Sequence, residues 1–196
     1  MLTDTQRFDA AIARFDAENA RDPHTEVSDG QGHPKELLYA RRMSDRLERL
    51  APRASEPLRL AARCQHLRRW EIPRNQYPMD RAGYHRWRTE LARMHAEEAA
   101  KILREVGYDE QTVARVQSLV RKERLKQDPE AQLLEDVICL VFLEHYFADF
   151  ARKHEEAKLL GILRRTWRKM SDVGRAQALK LPLGSVERAM VEKALA

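Results

Sequence analysis

Apolar residues along this chain recur at three- and four-residue spacing, and sustained alternation of apolar with polar residues is absent. That spacing places side chains on one face of a helix, whereas a half-buried strand needs a period of two. With only 7 Gly in 196 residues, helix is the expected state almost everywhere, and no strand is predicted. Phe8, Ile12 and Phe15 mark a first helix, and Tyr39, Met43, Leu47 and Leu50 a second. Ser55 followed by Pro57 starts a third that should run to about Trp70. Tyr84, Trp87, Leu91, His95, Ala99 and Ile102 keep one stripe through a long fourth helix, which Gly107 is placed to stop. Val113, Val116 and Val120 define a fifth, and Asp128-Pro129 caps a sixth. In the sixth, the stretch from Leu133 to Phe147 is apolar nearly all round, as a helix covered on every side must be. Leu159, Ile162, Leu163 and Trp167 give a seventh, and Ser185 caps a last short one.

The expected fold class is therefore all-α, a multi-helix bundle forming a single domain over residues 1–196, a length that suits one compact unit. Two stretches interrupt the helices. Residues 21–34 are polar, carry Pro23, Gly30, Gly32 and Pro34, and read as an exposed loop. Residues 71–83 contain Pro73, Pro78 and Gly83 but keep Ile72, Tyr77 and Met79, so this loop should be ordered and is expected near the site.

Composition removes several function classes. Cys64 and Cys139 stand 75 positions apart, with no CxxC and no Cys/His cluster, so neither a disulfide framework nor a zinc knuckle is indicated. The longest apolar run, Val137 to Leu143, is far short of the roughly 20 residues that span a bilayer, and the first 20 residues lack the basic start and greasy centre of a signal peptide. A cytoplasmic protein with no membrane partner is expected.

Charge is unevenly spread. Residues 1–30 hold three Arg against seven acids, whereas residues 59–93 hold nine Arg, no Lys and three acids, a local surplus larger than the whole chain's +5. Guanidinium forks onto phosphate and stacks on aromatics, and Trp70, Tyr77, Tyr84 and Trp87 lie in the same block. A second basic patch, Arg164, Arg165, Arg168 and Lys169 around Trp167, is an ordinary feature of a surface helix. Three polar residues sit where a simple core would place apolar ones: His66, His95 on the stripe of the fourth helix, and Asp136 on a face with Leu133, Leu140 and Leu143. A buried carboxylate needs a partner, and Arg63, Arg69, His66 and His95 are the candidates for Asp136.

The run from Ala61 to Trp70, with Pro73-Arg74, Tyr77-Pro78, Gly83-Tyr84, Trp87-Arg88, His95-Ala96, Lys122 and Leu134-Glu135-Asp136, resembles the family catalogued as domain of unknown function 4202 over nearly the whole chain. That resemblance names no activity. The order of elements also looks like the HD superfamily of helical metal-dependent phosphohydrolases. There one helix gives a His, the next ends Ala-Ala-x-x-His-Asp, and a later apolar helix gives a final Asp. Here Tyr39 falls at the first His, Gln65-His66 at the His-Asp pair and Asp136 at the final Asp, so two of the four ligands are missing and a third, the Asp of that pair, is His66.

The HD resemblance implies an HD-like pocket with His66 and Asp136 as catalytic residues and a divalent metal on His66, His95 and Asp136. Gln65, Arg69, Trp70, Arg74, Tyr84, Arg88 and Lys122 are the candidate ligand-binding residues, for a phosphorylated small molecule or nucleotide that the site binds and hydrolyses. The alternatives are RNA binding, with tRNA as target, through basic residues and stacking aromatics, and a structural or regulatory module without catalysis. Trp87 is expected inside, with Arg88 turned into a cleft beside Arg69 or Arg74.

Overall fold

The computed structural model describes residues 3–195. It is all-α apart from one small two-stranded sheet, and it divides into two compact units, 1–123 and 124–196.

In the first unit, α1 (Asp4–Asn19) opens on a capping box in which Thr3 and Gln6 bond each other's backbone N–H. Within the segment 21–34, expected as a loop, residues 25–34 form a hairpin: β1 (Thr25–Ser28) pairs antiparallel with β2 (Gln31–Pro34). Asp29 and Gly30, both at positive φ (51° and 75°), make the two-residue turn whose twist suits a hairpin. The Asp-Gly pair was the sequence signal for it, carried by strands too short and polar to show a period.

Next come α2 (Lys35–Leu50), α3 (Glu56–Arg63, capped by Ser55), α4 (Arg81–Glu105) and α5 (Glu110–Arg121). Their apolar stripes close over Phe15, Met43, Leu47, Leu58, Leu60, Leu67, Leu91, Leu103, Leu119 and Val120, all essentially without solvent contact.

The third helix stops at Arg63, well short of Trp70. Beyond it Arg68 adopts a left-handed backbone (φ 55°). Two buried groups hold that turn: Asn19 Oδ1 accepts the Arg68 backbone N–H at 3.1 Å, and His95 Nδ1 donates to the Leu67 carbonyl at 2.7 Å. The conformation costs a non-glycine residue roughly 1–2 kcal/mol, which two such contacts recover.

The segment 71–83 includes a short 3-10 turn at Arg74–Gln76 and is tied to the start of α4 by hydrogen bonds. Trp87 is buried and its indole N–H donates to the Ile72 carbonyl, Arg74 donates to the Tyr77 and Asp80 carbonyls, and Asp80 caps α4 through the Gly83 N–H.

In the second unit, α6 (Pro129–Val141) continues through a π-helical turn (Phe142–Tyr146) into α7 (Phe147–Ala151). This is the apolar Leu133–Phe147 segment, and it packs against α8 (Glu156–Lys169) and α9 (Asp172–Ala178), with α10 (Ser185–Leu195) against α7 and α8. The basic patch on α8 is put to structural use, Arg164 donating to the Ala194 carbonyl and Lys169 reaching the buried Glu135. No helix among the described residues is long and apolar enough to cross a membrane.

Asp136 corrects an expectation. Its charge is answered by none of Arg63, Arg69, His66 or His95. Ser171, which caps α9, donates to it from both backbone N–H (2.8 Å) and hydroxyl (2.5 Å), and Gln132 donates at 3.1 Å. The same Ser171 hydroxyl accepts the Gly174 N–H, so the carboxylate fastens the start of α9 to α6. Gly174 is required by proximity, since a Cβ there would lie 2.6 Å from Asp136 Oδ1. Arg63 is likewise committed, forking onto Asp16 at 2.7 and 2.6 Å.

Candidate functional site

The first unit contains an open cavity of about 570 Å³ between the turn after α3, the middle of α4 and the end of α5. Gln65, His66 and Arg69 come from the turn, Arg88, Ala92 and His95 from α4, and Val120 and Lys122 from the end of α5. The early end of α3 makes this possible. Residues 65 and 66 are neighbours that a continued helix would turn about 100° apart, and the unwound segment lets both face the same space.

The acid that meets His66 is Glu36, which stands behind the lining and not in it. His66 Nδ1 lies 3.1 Å from Glu36 Oε2, and the His66 ring stacks on Tyr39 at 4.0 Å between centroids with a 10° interplanar angle. Glu36 and Tyr39 are one turn apart on α2, so one helix face supplies both. The start of α2 is itself fixed by buried polar groups, the Glu36 N–H donating to Asp22 Oδ2 at 3.0 Å and the Glu36 carbonyl meeting the Asn19 amide at 3.5 Å. Glu36 and Asn19 escaped the sequence analysis; an acid and an amide in register with Tyr39 and with Phe15 were the signal available.

The Glu36–His66 contact has the distance of an ion pair, yet both partners resist charge. Burial, only partly countered by Arg69 and Lys35, pushes the Glu36 carboxyl up to about 7. Burial first, then the nearby Arg69, Arg88, Lys122 and Lys35, holds the His66 imidazole well below its ordinary value. At neutral pH the imidazole is uncharged and Glu36 is near its midpoint, so the contact is a hydrogen bond between a titrating carboxyl group and a neutral ring.

His95, 5.9 Å from His66 between centroids, is also neutral, burial bringing it down to about 3. The Leu67 carbonyl can only accept, so His95 Nδ1 carries the proton and Nε2 keeps a lone pair. That nitrogen and Gln65 Oε1 are both buried without a hydrogen-bond partner.

Five basic side chains line the cavity against two acids. Arg93 pairs with Glu97 and Arg121 with Glu123, each at 3.7 Å, and Arg69 Nε lies 3.8 Å from Glu36 Oε1, so the lining keeps an excess of basic over acidic side chains, with Arg69, Arg88 and Lys122 among them. Lys122 takes a left-handed backbone (φ 58°) as the C-cap of α5, a strained setting that recurs at binding sites.

The structure thus brings together Gln65, His66, Arg69, Arg88, His95 and Lys122. It does not bring Trp70, Arg74 or Tyr84 into the lining. Arg74 spends its donors on Tyr77 and Asp80 and lies over the Tyr84 and Trp87 rings at about 6 Å, while the Arg69 guanidinium covers Trp87 at 4.7 Å. A divalent metal does not fit the donors present. The two imidazoles keep a ring nitrogen each, but the carboxylate expected beside them, Asp136, is engaged by Ser171 and Gln132. Among the described residues no three His, Cys, Asp or Glu side chains are grouped to hold an ion.

A family model described as a domain of unknown function, DUF4202, matches residues 9–191, which takes in both units and every residue of the cavity. The chain belongs to the DUF4202 family. Comparison with curated proteins and with solved structures finds no match. Within this DUF4202 protein the motif Gln65-His66-x-x-Arg69-Trp70 therefore has a physical reading: its first three named residues line the cavity and the Trp stands outside it.

Proposed function

We propose that the cavity binds a phosphorylated small molecule or nucleotide through its phosphate and hydrolyses the phosphoester. The observation that carries this reading is a lining with five basic side chains against two acids, Arg69, Arg88 and Lys122 among them, beside imidazoles that are neutral. Guanidinium forks match phosphate oxygens, and charge-assisted bonds of this kind contribute about 1.5–3 kcal/mol each.

The Glu36–His66 pair suits the proton transfer. With Glu36 ionised, His66 Nδ1–H donates to its carboxylate and the other ring nitrogen holds a lone pair. As water attacks phosphorus, its proton passes to that nitrogen while the Nδ1 proton moves to Glu36. The new P–O bond forms as the ester P–O bond breaks, and the alcohol leaves, its oxygen protonated by solvent. The imidazole is neutral before and after, as its surroundings demand. In the HD-like form of the reading, Tyr39 and His66 occupy two ligand positions that meet here by stacking, and no step is routed through a metal.

RNA binding has less support, because Trp87 is buried with the chain's own Arg69 over its ring, which leaves Tyr84 as the exposed aromatic of that pair.

Calorimetric titration with inorganic phosphate tests the binding. Arg88→Ala should weaken it about 10–100-fold with little change in melting temperature, and Arg74→Ala should leave it unchanged. Equal losses from the two variants, or no phosphate binding at all, would remove the reading.

Hydrolysis should require ionised Glu36, so phosphate release should rise tenfold per pH unit below about 7 and level off above it. Glu36→Gln should reduce turnover about 10²–10⁴-fold while phosphate still binds. The raised Glu36 carboxyl favours folding below pH 4.5, and that advantage is lost as pH rises to about 7, a difference of about 3 kcal/mol. The Gln variant should accordingly be the more stable protein at pH 8. Stability that falls in step with activity would instead show that Glu36 is needed only for the fold.

A further inference from the structure

The phosphate clamp explains the rim of the cavity but leaves two of its floor atoms unused. His95 Nε2 and Gln65 Oε1 are acceptors, both on residues at least nine-tenths buried (2 % and 5 % exposed), both lining the cavity and both without a partner. The His95 assignment follows from geometry: the Leu67 carbonyl at 2.7 Å takes the Nδ1 proton, so the neutral ring turns a lone pair to its other side. An unpartnered buried acceptor costs about 1–3 kcal/mol, and a ligand that donates to it recovers that cost.

Donors of two kinds can meet such atoms. A cation, metal or ammonium, would also meet Arg69, Arg88 and Lys122, which line the same cavity and repel it. A neutral hydroxyl joined to an anionic group suffers no such penalty and satisfies rim and floor together. An unsubstituted alkyl chain would bury both acceptors with nothing to bond, which is how sites built for hydroxyls reject analogues that lack them. The volume of about 570 Å³ lies in the ordinary range for small-ligand pockets.

We infer that the ligand is a hydroxylated phosphomonoester of the sugar-phosphate class, its phosphate held by Arg69, Arg88 and Lys122 and its hydroxyls donating to Gln65 Oε1 and His95 Nε2. This rests on the phosphate-binding reading above and adds which carbon skeleton the site accepts.

The test is calorimetric titration of the whole chain with glycerol 3-phosphate, ribose 5-phosphate and glucose 6-phosphate, each against the n-alkyl phosphate of equal carbon count. At least one sugar phosphate should bind tenfold or more tighter than its alkyl match. Gln65→Met, which keeps the side-chain length and removes the acceptor, should bring that ratio down at least threefold, with sugar phosphate affinity falling. If the alkyl phosphates bind and none of the three sugar phosphates exceeds its match tenfold, the inference is wrong and the phosphate clamp stands. If neither series binds, both fall. The wild-type ratio decides the matter even where Gln65→Met fails to fold, and a ratio untouched in a folded Gln65→Met protein also overturns the role given to Gln65.

Discussion

Taking the protein from pH 7 to pH 3 should cost it about 5 kcal/mol through His95 alone, and His95→Asn should abolish most of that loss. In the folded chain burial keeps His95 neutral down to about pH 3, while in the unfolded chain the imidazole takes its proton near 6.5. Its contribution is complete above pH 6.5 and disappears as pH falls toward 3, at about 1.4 kcal/mol per unit. His66 slopes in the same direction, and Glu36 opposes both between pH 7 and 4.5, because its raised carboxyl gains a proton on folding in that window. Stability should therefore decline gently at first and steeply below pH 4.5, where Glu36 no longer compensates. Asn places an N–H near the position of His Nδ1, so His95→Asn keeps a donor for the Leu67 carbonyl while removing the proton-binding site. Urea unfolding from pH 7 to 3.5 measures both curves. Parallel curves for the two proteins would show that His95 is not the group that binds the proton on unfolding.

Asp136→Ala should destabilise residues 124–196 by about 3–5 kcal/mol, lowering the melting transition by on the order of 10–20 °C, with phosphate affinity unchanged. The substitution leaves the Ser171 N–H and hydroxyl and the Gln132 amide without their shared acceptor, at the point where α9 is fastened to α6. Asp136→Asn keeps an oxygen for the Ser171 N–H and loses the charge, so it should fall between wild type and Ala. The cavity lining contains no residue beyond 123, so the damage should be read in melting and not in binding. A folded Asp136→Ala protein with an unchanged melting temperature and lost phosphate affinity would restore Asp136 to the site and with it the HD-like arrangement.

Helix identity and most helix starts in this DUF4202 protein were determined locally, which is why they could be read from the chain. Ser55, Asp80 and Asp128 cap their helices from within three residues, and the period of three and four persists wherever a face is buried. The cationic block was legible for the same reason, since an excess of Arg over acids between 59 and 93 is a property of composition. His66 and His95 could be singled out as misfits on apolar faces. What they meet could not, because a buried polar group is compensated by whichever partner lies near it in space. The end of α3 at Arg63 depends on Asn19 and His95, 49 and 28 residues from their partners at Arg68 and Leu67. The acid facing His66 is Glu36, 30 residues earlier, and Asp136, an equally plausible acid on its apolar face, is satisfied by Ser171, 35 residues later. An apolar face tells that a buried carboxylate must be answered, and only the packing of the helices decides which donor answers it.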